Sequence, residues 1–158
     1  MEADSRRHVG VGSYRVFMGY DIQVVIDSEH PHQQAKWWAA ALQWQVEPSD
    51  SDFIRGLVQA GHAREEDTLE FDGQLVWKMG AAITDPERPG SPRVLFQAVP
   101  ESKTVKNRLH FDIRAGDERE AIAQQLVDAG ATVLHRGQVG PSTWITMTDL
   151  EGNEFCVG

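Results

Sequence analysis

Apolar and polar residues alternate along KNRLHFDIRAGD, which spans residues 106–117. In an extended chain, successive side chains point to opposite sides, so this pattern predicts a half-buried strand. The apolar side, which we expect to face the core, carries Leu109, Phe111 and Ile113. The polar side carries Arg108, His110 and Asp112. A histidine in that position is compatible with ordinary surface and with the wall of a pocket.

This strand, and the helix predicted after it, have a second copy earlier in the chain. IQVVIDSEHPHQQAKWWAAALQWQV (22–46) aligns without a gap with LHFDIRAGDEREAIAQQLVDAGATV (109–133). In the first copy, apolar residues recur at the i, i+3, i+4, i+7 spacing of an amphipathic helix, at Ala35, Trp38, Ala39 and Leu42. The equivalent positions of the second copy are mostly apolar. The repeat therefore predicts two strand–turn–helix units, with helices at about 32–43 and 118–129.

The segments that follow the two helices also match. AITDPERPGSPRVLFQAV resembles TMTDLEGNEFCVG, and in both a Thr-Asp pair precedes a turn and a last strand. Each copy thus consists of a strand, a helix and about three strands, which is an α+β pattern of two tandem βαβββ modules. We predict one domain over residues 20–158, in which module one covers 20–100 and module two covers 106–158. Module one is predicted to carry a helical insertion at about 48–67, and residues 1–19 a tail able to add an edge strand.

The repeat pairs polar positions on the sides of the strands that face away from the helices. Gln23 aligns with His110, and Gln97 aligns with Cys156. Glu154 lies two residues before Cys156, so it shares that side of the last strand. Two modules related by a pseudo-twofold axis would bring these positions toward one concavity. The predicted ligand-binding residues are Gln23, Gln97, His110, Trp144 and Cys156.

Charge and composition exclude several kinds of partner. The 158 residues carry a formal net charge of −9, whereas phosphate binding needs clustered Lys and Arg, so we expect no nucleic-acid partner. No apolar run approaches the roughly 20 residues of a membrane span. The N-terminal MEADSRRHVG lacks the apolar core of a secretory signal, and one cysteine cannot form an internal disulfide. These features predict a cytoplasmic protein without membrane association.

Three segments together carry a family resemblance: IDSEHPHQQAKWWAAALQW, RVLFQAVPESKTVKNRLHFDI and TDLEGNEFCV. They resemble the glyoxalase/bleomycin resistance/dioxygenase group, also called the vicinal oxygen chelate superfamily, and especially its glyoxalase-like domains of unassigned activity. The resemblance covers residues 20–158. It implies two βαβββ modules whose sheets curl into an open half-barrel around a ligand cup. We also expect the chain to form a homodimer.

The same resemblance implies where a metal would bind. Metal-dependent members of the superfamily place ligands on the first, fourth, fifth and eighth strands, which here correspond to Gln23, Gln97, His110 and Cys156. In those members the ligands on the fourth and eighth strands are carboxylates. This chain has Gln97 and Cys156 there instead. Hard divalent ions prefer anionic oxygens, and two amides with one imidazole offer none. We therefore expect no metal cofactor; a divalent metal, if bound, would be held by Gln23, Gln97 and His110 with Glu154 or Cys156.

Two functional hypotheses follow from this site. In the first, the protein binds an amphipathic small molecule in the cup, with a resistance or sequestration role, as drug-sequestering members of the superfamily do. In the second, it is a lyase, isomerase or dioxygenase-type enzyme acting on a small carbonyl or aromatic substrate, with His110 or Glu154 as the catalytic proton-transfer group. A cysteine at position 156, where metal-dependent relatives carry a glutamate, favours the binder or a metal-free enzyme.

Each candidate residue also has a purely structural interpretation. His110 could pair along its strand with Arg108 and Asp112. Cys156 could act as a small buried hydrophobe, and Glu154 could be held by a neighbouring cation. Trp38 is predicted to lie in the core, and Trp37 to contact the insertion or a partner subunit. The histidines predicted to be solvated are His30, His32, His62 and His135.

Overall fold

The computed structural model describes residues 22–158, and in this part of the chain it contains ten strands and three α-helices. The predicted tail at 1–19, with its edge strand, lies outside the described residues. Within residues 22–158, each helix is too short or too polar to cross a membrane.

Module one begins with a strand and a helix, continues through an insertion, and ends with two strands. In chain order its elements are β1 (Gln23–Ser28), α1 (Pro31–Leu42), β2 (Gln45–Val46), α2 (Ser51–Gln59), β3 (Thr68–Phe71), β4 (Gln74–Trp77), β5 (Gly80–Thr84) and β6 (Arg93–Ala98). Four of these strands form one sheet in the order β1-β6-β5-β2, in which β1 and β6 are parallel. The hairpin β3-β4 is a separate two-stranded sheet.

Module two has the same plan without an insertion. Its elements are β7 (Asp112–Ile113), α3 (Arg119–Asp128), β8 (Thr132–Val139), β9 (Ser142–Thr148) and β10 (Glu154–Val157). The sheet order is β7-β10-β9-β8, and β7 is parallel to β10. In both modules the first strand therefore lies beside the last one, and the third beside the second. This shared topology confirms the α+β class and the paired βαβββ plan predicted from the repeat.

The insertion is longer than the sequence predicts. Helix α2 falls inside the predicted interval 48–67, and it begins where the Asp50 carboxylate accepts hydrogen bonds from the backbone N–H groups of Asp52 and Phe53. The hairpin β3-β4 extends the inserted part to Trp77.

The apolar faces of the two sheets contribute to one buried core. Trp38, on α1 of module one, packs edge-to-face on Phe111 and Phe155 of module two, with ring centroids 5.3 and 5.1 Å away. Its indole N–H donates to Asp149 Oδ2 at 3.0 Å. Trp37, predicted to touch the insertion or a partner, is instead buried and also contacts Phe155. The polar faces of both sheets consequently point outward, on different sides of the shared core.

The predicted strand around Leu109 is wrong in its first half. Leu109 is 87% exposed, and its equivalent in module one, Ile22, is 69% exposed. The parallel register sets Cys156 beside Asp112, so the positions opposite Leu109 would belong to the turn before β10. Hydrogen bonds within that turn hold its backbone, since Asp149 accepts from the backbone N–H groups of Glu151 and Asn153. Leu109 has no strand to pair with there, and the chain stays outside the sheet until Asp112.

Candidate functional site

One row of polar side chains crosses the outward face of the module-two sheet. Cys156 on β10 lies between Asp112 on β7 and Thr146 on β9, and His135 on β8 is the next neighbour of Thr146. Side chains at paired positions of adjacent strands stand on the same face. The backbone pairing of the sheet therefore fixes the order of this row.

A cavity of about 480 Å³ lies over this row. Residues from all four strands, from the segment before β7 and from the C-terminal end line it. The lining residues are Lys106, His110, Asp112, Ile113, Arg114, His135, Trp144, Thr146, Glu154, Phe155, Cys156 and Gly158. Four predicted site residues are thus brought together: His110, Trp144, Glu154 and Cys156.

His110 and Asp112 form the closest polar pair of the cavity. The Nδ1 atom of His110 lies 2.8 Å from Asp112 Oδ1, so this ring nitrogen donates to the carboxylate. A donor atom of each side chain and the Sγ atom of Cys156 all lie within 4.8 Å of one another. Both side chains remain accessible, since that of His110 is 44% exposed and that of Asp112 is 61% exposed. An imidazole, a carboxylate and a thiol therefore meet at the mouth of the cavity.

Thr146 extends this group toward β8. Its hydroxyl oxygen lies 3.7 Å from the Sγ of Cys156 and 3.2 Å from the Nε2 of His135. His135, predicted to be solvated, is exposed and also lines the cavity. A β-bulge between Val133 and His135 changes the alternation of β8 and turns His135 onto the outward face.

Glu154 is held firmly by the segment that joins the modules. Its Oε2 atom accepts from the backbone N–H of Asn107 and from the ammonium of Lys103, each at 3.0 Å. The hydrogen bond from Asn107, with help from Lys103, lowers the pKa of Glu154 to about 2. A carboxylate with that pKa stays ionised at neutral pH and is a weak proton acceptor. Glu154 thus anchors the linker along the edge of the cavity.

Trp144 forms an apolar wall of the cavity. Its cross-strand neighbour on β8 is Gly137, and a Cβ atom at that position would overlap the indole ring. The absence of a side chain at 137 lets the ring lie directly over the neighbouring strand. The cavity therefore combines a flat aromatic surface with ionisable groups.

The structure does not place Gln23 and Gln97 in this cavity. Both lie on the outward face of the module-one sheet, where Gln23 Oε1 accepts from the Arg93 guanidinium at 2.6 Å. Arg93 also makes two hydrogen bonds to the Glu47 carboxylate, at 2.7 and 2.8 Å. A separate cavity of about 650 Å³ lies on that face, between the sheet, α2 and the hairpin β3-β4. Gln23 and Gln97 thus lie on one surface of the chain, and His110 and Cys156 lie on another.

The pairing of the first strand with the last strand is shifted by two residues between the two modules. Positions that align in the sequence repeat therefore do not occupy equivalent places in the two sheets. Asp112 is beside Cys156, whereas its repeat equivalent, Val25, is beside Leu95. Gln97, aligned with Cys156 by sequence, lies beside Asp27 instead. A shift of two residues keeps every side chain on its face, so it leaves no trace in the alternation.

Four ionisable residues of the cavity were not predicted as site residues: Lys106, Asp112, Arg114 and His135. Asp112 and Arg114 could have been found, because they follow His110 at spacings of two and four along one side of an extended chain. Lys106 continues that spacing in the other direction. His135 gives no such signal, because its position depends on the bulge.

The fold, together with the family match, puts the chain among the paired-βαβββ proteins of the vicinal oxygen chelate superfamily. Residues 23–158 match the family described as Glyoxalase-like domain. The chain belongs to this family. No curated protein matches it significantly.

Solved structures with the same fold are distant in sequence. The genomically encoded fosfomycin resistance protein FosX from Listeria monocytogenes aligns with a TM-score of 0.58 at 6% identity, covering 89% of this chain and 92% of that one. A glyoxalase family protein from Bacillus cereus gives 0.54 at 14% identity, over 92% and 96%. The oxidase ChaP-H2 gives 0.54 at 11% identity, over 88% and 91%. At such low identities these likenesses establish the fold.

The residues present do not fit the metal that the superfamily implies. A structure of the Listeria FosX contains Mn(II), a hard ion that prefers carboxylate and carbonyl oxygens. Of the four equivalent positions here, Gln23 and Gln97 lie away from the cavity, and Cys156 offers sulfur. Glu154, the nearby carboxylate, is occupied by Lys103 and Asn107. The superfamily's four-ligand site is therefore not formed by this chain.

Proposed function

We propose that the protein binds an amphipathic small molecule in the module-two cavity. The observation that carries this proposal is the combination, in about 480 Å³, of the Trp144 ring with the His110–Asp112 pair. Small-molecule sites commonly enclose roughly 300–1,000 Å³ and join an apolar wall to a few polar groups. In this proposal the indole covers the apolar part of the ligand, and His110 bonds to its polar part.

The charges at the rim favour a ligand that carries an anionic group. Lys106 and Arg114 line the cavity, and Glu154 is neutralised by its own partners. A resistance or sequestration role would match the names of FosX from Mesorhizobium loti and Listeria monocytogenes, which are fosfomycin resistance proteins. We extend that role to this chain as part of the proposal.

We further propose that the protein is a cytoplasmic homodimer. The outward faces of the two modules are separate within one chain, so only a second copy could bring Gln23 and Gln97 to His110 and Cys156. A reducing cytoplasm would keep the free thiol of Cys156 available in the cavity. Sedimentation velocity would test the assembly, and a monomer at all accessible concentrations would contradict it.

The alternative function is that of a lyase, isomerase or dioxygenase-type enzyme, and one observation favours it. The carboxylate of Asp112 binds Nδ1 of His110, which leaves Nε2 as the nitrogen able to accept a proton. His110 would be the proton-transfer group, since the low pKa of Glu154 makes that carboxylate a weak base. Release of a new product from a bound compound, detected by mass spectrometry, would distinguish this alternative from binding alone.

The experiment is a thermal-shift screen of small molecules, followed by titration of the compounds that stabilise the protein. His110→Ala is compared with His62→Ala, a change at an exposed histidine outside the cavity. We expect His110→Ala to weaken binding at least about tenfold, equivalent to about 1.4 kcal/mol, with Tm within a few degrees of the parent. His62→Ala should leave affinity unchanged. Equal affinity in the parent and in folded His110→Ala would refute the proposal.

A further inference from the structure

We propose that the cavity of module one is a second ligand site of this chain, and that it takes an uncharged aromatic small molecule. The cavity, of about 650 Å³, lies between the module-one sheet and the inserted segment formed by α2 and the hairpin β3-β4. Module two has no such insertion. Gln23 and Gln97, at the superfamily's ligand positions on this module, do not line the cavity. The proposal goes beyond the module-two site and does not rest on it.

The cavity has apolar walls on two opposite sides. Its floor is the outward face of β5 and β6, where Ala82 and Leu95 are direct cross-strand neighbours. Ala82 is buried although it lies on the face opposite the shared core, because the inserted segment covers it. The apolar residues of the roof come from α2, β3 and β4: Phe53, Ile54, Phe71, Val76 and Trp77. A volume of this size, enclosed mainly by apolar side chains, is typical of small-molecule sites.

The roof is joined to the rest of module one by hydrogen bonds. The Ser51 hydroxyl donates to the backbone oxygen of Leu75 and accepts from its N–H, both at 3.1 Å, so α2 and the hairpin form one unit. A ring nitrogen of His32, on α1, donates to the Trp77 carbonyl oxygen at 2.9 Å and ties the hairpin to that helix. The walls are therefore in place before a ligand binds, which lowers the entropic cost of binding.

The five charged residues that line the cavity all have partners within the chain. Lys36 pairs with Asp72 at 2.7 Å, and Arg93 makes two hydrogen bonds to Glu47, at 2.7 and 2.8 Å. Asp50 accepts from the first backbone N–H groups of α2. An ionic ligand would lose its hydration and compete with these pairs, whereas an uncharged ligand leaves them intact. The lining therefore favours an uncharged ligand, which is the opposite of the preference proposed for the module-two cavity.

Three aromatic side chains favour a ligand that contains an aromatic ring. Phe71 and Trp77 belong to the hairpin, and Phe53, on α2, is 59% exposed. Aromatic rings packed edge-to-face or offset on one another gain more than their buried area alone provides. A bound ring would also remove from water the apolar surface that Phe53 now exposes.

The test uses the full-length protein and two dyes that share one aromatic framework. N-phenyl-1-naphthylamine is uncharged, and 1-anilinonaphthalene-8-sulfonate adds a sulfonate group to the same rings. In fluorescence titrations we expect the uncharged dye to bind saturably, and Phe53→Ala, in the roof, to weaken that binding at least about fivefold. Leu95→Gln, in the floor, should weaken it by a similar factor. Val139→Ala, which trims an exposed apolar residue outside both cavities, is the control and should leave affinity within about twofold.

The sulfonate dye tests the charge argument. We expect Phe53→Ala to leave its binding unchanged, because the paired charges of the module-one cavity offer an anion no free cation. Non-saturable binding of the uncharged dye would overturn the proposal, as would unchanged affinity in folded Phe53→Ala and Leu95→Gln. An equal loss of affinity for both dyes in Phe53→Ala would overturn the preference for an uncharged ligand. Compounds that bind the module-two cavity should retain parental affinity in Phe53→Ala, so the two sites can fail independently.

Discussion

At the scale of single residues, Glu154 ties the linker between the modules to the last strand. Its carboxylate is 15% exposed and is held by Asn107 and Lys103. Because the pKa of Glu154 falls from 4.5 to about 2 on folding, the folded chain binds its proton more weakly than the unfolded chain does. The contribution of this group is therefore complete above about pH 4.5 and disappears as pH falls toward 2.

Glu154→Gln should remove this pH-dependent contribution to the free energy of unfolding. At pH 7 we expect the variant to be less stable by about 1–2 kcal/mol, because it loses a charge-assisted contact with Lys103. The difference should shrink steadily between pH 4.5 and pH 2. Urea unfolding of parent and variant across that range measures it. A difference that stays constant with pH would contradict the assignment of the low pKa to Glu154.

Replacing two glycines by alanine should change the stability of the protein in opposite directions. At Gly137 a methyl group would overlap the Trp144 ring, so we expect Gly137→Ala to destabilise the protein by about 1–3 kcal/mol and to displace the indole. At Gly56, inside α2, no atom lies within 4 Å of an added Cβ, so Gly56→Ala should stabilise by about 0.5–1 kcal/mol. Thermal melts of both variants check this. Equal effects would show that the aromatic wall is not packed against β8.

Single residues were predictable where local spacing alone determines their direction. Asp112 and Cys156 stand on their strands as alternation requires, and His110, just before β7, still lines the same cavity. Leu109 does not, because whether a strand continues depends on what its neighbour offers, and the neighbour here is a turn. His135 depends on a bulge, which one extra residue creates without a distinctive sequence.

At the scale of elements, helix α1 starts on a carboxylate from the other module. Its N-cap residue, His30, makes no side-chain cap, and the first-turn residues are not acidic. Glu151 takes this role: Oε1 accepts from the His30 N–H at 2.7 Å and from the Ser28 hydroxyl at 2.9 Å, and Oε2 accepts from the Glu29 N–H at 3.2 Å. A negative charge at a helix N-terminus also interacts favourably with the positive end of the helix dipole.

Glu151→Ala is therefore expected to destabilise the protein by about 1–3 kcal/mol, because it leaves three donors without their acceptor. Glu87→Ala, a change at an exposed glutamate of the β5–β6 turn, is the matched control and should have an effect within about 0.5 kcal/mol. Urea denaturation curves of both variants give the comparison. Equal stability of the parent and Glu151→Ala would show that water caps α1 equally well.

The main helices and the order of strands were predictable because the repeat shows one pattern twice. Helices α1 and α3 begin and end within one residue of the predicted limits 32–43 and 118–129. The cap of α1 was not predictable, because its donor and acceptor are more than 120 residues apart in sequence. The hairpin β3-β4 was missed because its two short strands pair only with each other.

At the scale of the whole molecule, the two modules depend on a shared core. Trp38 contacts Phe111 and Phe155 across the boundary between the modules, and its indole N–H reaches Asp149. Removing the ring would leave a large cavity and take from Asp149 Oδ2 one of its two donors, the other being the Asn153 amide. Neither module then retains a complete apolar core.

Trp38→Ala should consequently destabilise both modules together, by about 3–5 kcal/mol. We expect tryptophan fluorescence and far-ultraviolet circular dichroism to follow one coincident urea transition in the parent and in the variant. Phe53→Ala, at an exposed aromatic residue of α2, should shift the midpoint far less. Two separate transitions in the parent would show that the modules unfold independently.

The register difference between the modules has a consequence for redesign. The histidine–aspartate–cysteine group cannot be copied onto module one by following the sequence repeat. The repeat would place the cysteine at position 97, and that position pairs with Asp27, not with Val25. Strand pairing selects Leu95 instead, the direct neighbour of Val25 and a wall of the larger cavity. The combination Gln23→His, Val25→Asp and Leu95→Cys would therefore transplant the group, and a chain engineered in this way would carry two chemically equivalent centres on two separate surfaces.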